Sequence, residues 1–91
     1  MTVTHVPLGQ VVTTVGAMAA LTAAGVAAGT ILDRHRRGDW GEVDREDWRA
    51  NDWSLANGER LLSVYMVGTV KVWLITERDR SSTCLLLPSE Y

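Results

Sequence analysis

Thr76-Glu77-Arg78-Asp79-Arg80-Ser81-Ser82 packs charge and hydroxyls into one short stretch of a 91-residue chain. A carboxylate such as Glu77 could take up a proton, and a guanidinium such as Arg80 could hold a phosphate. His35 ordinarily titrates near neutrality and could act as general acid or base with them. The same residues also have a structural reading. Asp79 with Ser81 or Ser82, and Glu77 with an arginine, would brace a loop, while His35 would sit as a cation at a helix C-terminus. We expect the structural roles, and keep the trio His35, Glu77 and Arg80 as the catalytic alternative.

A second group is acidic. Residues 39–52 carry six carboxylates against Arg45 and Arg49, a local balance of −4. Asp44, Glu46, Asp47 and Asp52 would form a stripe on one helix, either as a solvated face or as a phosphate-like surface that meets a basic cleft. Asp39-Trp40-Gly41 could present Trp40 for stacking, or bury it as a plug while Asp39 caps backbone N–H groups. The expected interaction surface is therefore Asp39, Trp40, Asp44, Glu46, Asp47, Asp52 and Trp53, with Arg78, Asp79 and Arg80 from the charged turn.

Other chemistries find little support. His5 and His35 are too far apart to suggest zinc-ligand spacing, and Cys84 is the single cysteine, so neither an intrachain disulfide nor a CxxC site is possible. Cys84 lies in the apolar run Cys84-Leu85-Leu86-Leu87 and reads as a small packed side chain. No metal or cofactor is expected. The net charge of −2 and pI near 5.5 argue against a module that gains its affinity from nucleic-acid phosphates. They leave room for a protein partner that handles nucleic acid. A reducing, cytoplasmic setting fits the cysteine usage.

These residues need elements to position them. Thr14 caps a helix over Val15–Ala24 with Gly25 as its stop, and its Ala17, Met18, Leu21 and Ala24 would share a face. A second helix spans about 27–36, with Ile31 and Leu32 inward and Arg34 and Arg37 wet. Asp44 caps a third, which runs to Asn57 before Gly58 and presents Trp48 and Leu55 together, with Trp53 to one side. Strands follow over Leu61–Val67, 70–77 and 83–87, and Gly68-Thr69 forms a two-residue hairpin loop. The fold expected is α+β: three N-terminal helices, then a three-stranded antiparallel meander with the helices on one face. It is a single domain, with residues 1–10 as a lead-in, 14–57 helical and 60–91 forming the meander.

Residues 11–32 carry no charge and are long enough to cross a bilayer, with Arg34, Arg36 and Arg37 behind them. Their Ala, Gly and Thr content makes insertion weak, and no basic region precedes them as in a secretory leader. A single-span accessory protein stays as a further alternative.

Five blocks carry a resemblance: His35-Arg36-Arg37-Gly38-Asp39-Trp40-Gly41, Asn51-Asp52, Leu62-Ser63-Val64-Tyr65, Trp73-Leu74-Ile75-Thr76-Glu77-Arg78-Asp79-Arg80-Ser81, and Leu86-Leu87-Pro88-Ser89-Glu90-Tyr91. Together they resemble a family of short bacterial proteins carried on plasmids, phages and integrative elements, labelled "plasmid-related protein" or linked to type I restriction systems. The resemblance implies a soluble accessory protein of a mobile element, and offers no catalytic residues to carry over. With the acidic stripe, it leads us to expect a non-enzymatic inhibitor of a host defence system of the CRISPR or restriction type. The alternative is a small ribonuclease or toxin with His35, Glu77 and Arg80 on the sheet.

Overall fold

The computed structural model describes residues 5–91. Its sheet is the first departure from expectation. Gln10–Thr13 is a strand, β1, within and just beyond what reads as a lead-in. It pairs in parallel with Ser82–Leu86 (β4), which pairs antiparallel with Val70–Thr76 (β3), which pairs antiparallel with Leu61–Val67 (β2). The sheet is thus four-stranded and mixed, in the order β1-β4-β3-β2, rather than a three-stranded meander. β1 is four residues long and exposed throughout, so it lacks the alternation that marks a half-buried strand. It exists because β4 offers an edge seventy residues later in the chain. Gly9 makes the approach possible: its φ is +64°, and a Cβ there would collide with the Ser81 carbonyl.

Helix α1 (Val15–Ala24) starts where Thr14 Oγ1 accepts the Ala17 N–H and ends at Gly25 in the left-handed conformation. Ala17 and Leu21 face the core, whereas Met18 and Ala24 turn outward, against the expected four-residue face. α2 (Ala28–Arg36) buries Ile31 and His35, one turn apart. Arg34 is not simply wet. It donates to Asp39 at 2.7 Å and lies 4.7 Å over the Tyr65 ring. Among the described residues no single helix is long and apolar enough to cross a membrane; α1 and α2 reach that length only as a pair bent by 107°.

α1 and α2 cover one sheet face. Ala17, Leu21 and Ile31 pack there on Tyr65, Val67, Val72, Leu74 and Leu85. α3 (Arg45–Asn57), capped by Asp44 at the Asp47 N–H, does not join them as expected. It lies along the β2 edge, with Trp48 and Leu55 in a second apolar cluster around Val6, Trp40 and Leu61. The Asn51 carboxamide brackets the Leu62 backbone, donating to its carbonyl at 2.6 Å and accepting its N–H at 3.1 Å. One residue pair further on, the Val64 N–H donates to the Trp40 carbonyl and the Val64 carbonyl accepts the Glu42 N–H. Gly41 passes so close to Val64 that any Cβ would meet its carbonyl oxygen, which demands glycine at φ +76°. The outward backbone groups of β2 are thereby covered along most of its length.

Candidate functional site

The trio His35, Glu77 and Arg80 does not form an open site. His35 has no solvent-exposed surface and sits between α2 and the sheet. Its Nδ1 is 2.5 Å from Ser63 Oγ and its Nε2 is 2.8 Å from Thr76 Oγ1. Thr76 Oγ1 meets Thr83 Oγ1 at 2.7 Å, and Thr83 Oγ1 donates to the Leu8 carbonyl. That carbonyl can only accept, so the direction of the chain is fixed as far as the His35 Nε2–H. Thr83 gives its proton to Leu8, Thr76 gives to Thr83, and the His35 Nε2–H gives to Thr76. Burial, with the Arg80 charge adding to it, pushes the His35 pKa down to about 4, so near pH 7 the ring is the neutral Nε2–H tautomer and its Nδ1 accepts from Ser63. Both sequence readings, a helix-terminal cation and an acid–base catalyst, give way to a buried structural imidazole.

Arg80 is likewise committed. Its Nη1 donates to the carbonyls of Glu59 (2.6 Å) and Glu77 (3.1 Å), and Nη2 donates to that of Ser54 (3.3 Å), tying the β3–β4 turn to the end of α3. The brace is real and keeps one expected pair, Asp79 with Ser81, but not the other, Glu77 with an arginine. Asp79 accepts the Ser81 N–H, while Arg78 pairs with Glu59 rather than with Glu77, whose carboxylate is exposed. Arg80 holds φ +61°, where a β-carbon is strained. Arg80→Ala should lower stability by about 2 kcal/mol through the lost charge-assisted bonds. Arg80→Gly should be milder by about 1 kcal/mol, because glycine relieves the backbone. Urea midpoints at constant m measure both, and equal losses would contradict the strain.

Several members of the expected interaction surface are structural. Trp40 is fully buried and its Nε1–H donates to Asp52 at 2.9 Å. Asp39 accepts from Arg34 and from the Gly41 N–H, which holds its carboxyl below the usual range. Asp44, Glu46, Asp47 and Trp53 are exposed, Trp53 at 59%. Cys84 is half-buried, and burial pushes its thiol up, away from the reactive thiolate.

A different arrangement stands open on the sheet face away from α1 and α2. Leu62, Trp73 and Ile75 form an apolar floor, and Asp47, Ala50, Asn51 and Ser54 of α3 form one wall of a groove of about 410 Å³. Tyr91 closes one end. Its ring meets Trp73 edge-on at 5.5 Å, and its hydroxyl accepts from Arg60 Nη2 at 2.8 Å. A second hollow of about 440 Å³ shares Val43, Asp47, Leu62 and Trp73 with the first and runs on past Val64 to Glu42, Asp44 and Lys71. The two form one trough. Glu42, Asp44 and Asp47 make its acidic rim, and among the described residues none of the three enters an ion pair. Asp44 and Asp47 were expected from the sequence; Glu46 is exposed but lies outside the trough. Trp73, Ile75, Leu62, Glu42, Arg60 and Tyr91 were not singled out. The signal for them was the apolar content of both faces of β3, since Trp73 and Ile75 alternate with the core residues Val72 and Leu74.

Comparison with family models, with curated proteins and with solved structures gives no match for this chain.

Proposed function

We propose that the protein is a non-enzymatic binding module of a mobile element that takes a basic, apolar-anchored segment of a host protein into the trough over Trp73. The acidic rim beside the apolar floor carries this reading. Glu42, Asp44 and Asp47, none of them in an ion pair among the described residues, outnumber Lys71 and Arg60 in the trough and would draw in lysine or arginine, while the Trp73 and Tyr91 rings offer the amphipathic anchor on which protein interfaces concentrate their energy. Basic surfaces of that kind belong to nucleic-acid-handling proteins, which agrees with the expected partner, a host defence complex that the module would inhibit. The resemblance of the five sequence blocks to mobile-element proteins supports the setting.

A phage-displayed random peptide selection tests the chemistry directly. Enriched peptides should combine an aromatic or aliphatic residue with flanking Lys or Arg. Trp73→Ala should weaken a selected peptide by about tenfold or more. Glu42→Lys with Asp47→Lys should do so by a similar factor and remove the salt dependence. Neither side chain of the charge pair makes a hydrogen bond among the described residues, so the fold should persist, with about 0.5–1 kcal/mol lost where Asp47→Lys puts a cation in the first turn of α3. Enrichment of acidic peptides, or binding indifferent to both variants, would overturn the proposal.

A further inference from the structure

The sheet has two edges, and the chain treats them differently. β2 is covered by the Asn51 carboxamide and the Trp40–Glu42 segment. β1 has no such cover among the described residues. Its only device against edge pairing is its four-residue length; it carries no charge, no proline and no bulge. The Gln10 N–H donates to Ser81 and the Thr14 N–H to Leu85, so positions 10, 12 and 14 face β4. Val11 and Thr13 alternate with them and point their N–H and C=O groups outward.

We propose that β1 joins β1 of a second copy in antiparallel order, about a twofold axis at Val12. The geometry selects this occupant. With Val12 opposite Val12 of the other copy, Val11 falls opposite Thr13 and the two exchange both of their outward hydrogen bonds, as do their symmetry mates. The side chains agree with that register. Leu62, Ile75, Cys84 and Val12 are successive cross-strand neighbours on the open face. The twofold axis would continue this row into the partner as Val12, Cys84, Ile75 and Leu62, one apolar ladder across eight strands. On the other face, Val15, Met18, Ala19 and Thr22 of α1 line a shallow apolar hollow beside Thr13 and would face their counterparts.

Charge permits the same contact. Residues 10–32 contain no ionisable side chain, so two copies meet without like-charge repulsion although each carries −2. Val11, Val12, Val15 and Met18 are four of the eight exposed large apolar side chains among the described residues, gathered on one edge. The proposal is independent of what the trough binds.

Sedimentation equilibrium of the full chain at high micromolar concentration should return twice the 10.0 kDa chain mass. Val12→Lys places two ammonium groups side by side at the axis and should return the monomer mass with an unchanged far-UV circular dichroism spectrum. In case that variant unfolds, hydrogen exchange of the unaltered protein gives a second reading. The Val11 and Thr13 amides should become protected as concentration rises, while those of Lys71 and Glu77 should not. An unaltered chain that stays monomeric overturns the proposal. So do a folded Val12→Lys variant that still dimerises, and Val11 and Thr13 amides whose exchange ignores concentration.

Discussion

His35→Gln should flatten the mildly acidic limb of the protein's stability profile. In the folded chain the imidazole is buried and neutral, with a pKa pushed down to about 4 from an ordinary value near 6.5. Below pH 6.5 the unfolded chain takes up a proton that the folded chain refuses. The stabilisation is therefore complete above pH 6.5, declines as pH falls, and levels off below about pH 4. The whole interval is worth about 3 kcal/mol, and the step from pH 7 to pH 5 about 2 kcal/mol. The carboxyls of Asp33, Asp39, Asp79 and Glu90 are held below their usual range, so their contribution is lost only at lower pH, once the unfolded carboxyls themselves protonate. Urea unfolding at pH 7 and pH 5 thus isolates the imidazole. Glutamine can replace one donor and one acceptor of the Ser63–His35–Thr76 chain, so the variant should fold, lose about 1–3 kcal/mol at pH 7 and show little further loss at pH 5. Equal slopes for the two proteins would show that His35 carries a proton in the folded state.

That imidazole marks where sequence reasoning runs out. Its neighbours along the chain, Arg34, Arg36 and Arg37, describe a wet helix end, and nothing local says that Ser63, Thr76 and Thr83 converge beneath it. What could be read was local chemistry. Thr14 and Asp44 cap their helices, Gly25 and Gly58 stop them at positive φ, and Gly68 opens the β2–β3 hairpin. These depend on residues within a few positions of each other. β1 depends on β4 and was not visible, and its addition turns a meander into a mixed sheet.

The site followed the same rule. Asp44 and Asp47 announced the acidic wall because they are the cap and first turn of one helix, whereas the floor needed Leu62, Trp73 and Ile75 from two strands and Tyr91 from beyond a third. A residue's place in a turn does not reveal its partners either. From sequence Arg80 is a loop brace or, alternatively, a phosphate ligand; its actual acceptors, the Ser54 and Glu59 carbonyls, come from a distant helix end. A sheet with helices on one face only leaves its other face to be covered or used. Here α3 stands at the edge and covers part of it, and the remaining strip is the trough. Were α3 to lie with α1 and α2, Trp73 would be stranded on a flat face and no acidic wall would stand beside it.

Trp40→Ala should have the largest effect of any single truncation, because one side chain joins three parts of the molecule. The indole is fully buried with Val6 and Leu61, against Leu8, Val43, Trp48 and Leu55. Its ring also meets His35 edge-on at 5.6 Å, linking this cluster to the buried hydroxyl chain. Truncation should remove about 3–5 kcal/mol. A domain of this size has only about 5–14 kcal/mol in total, so much of the population would unfold on modest heating. Trp40→Phe keeps most of the packing and loses the N–H donated to Asp52, for about 1–2 kcal/mol; the Asp52 carboxylate is near solvent and can rehydrate. The order alanine worse than phenylalanine, read from urea midpoints, separates packing from the hydrogen bond. Alanine should also expose the β2 edge, because the Trp40 carbonyl and the Glu42 N–H that cover Val64 are held in place by the plug beside them. Light scattering should therefore rise for Trp40→Ala under conditions where the phenylalanine variant stays clear. A loss below about 1 kcal/mol for alanine would mean that the second cluster does not anchor α3, and that the acidic wall of the trough is held by the Asn51–Leu62 bonds alone.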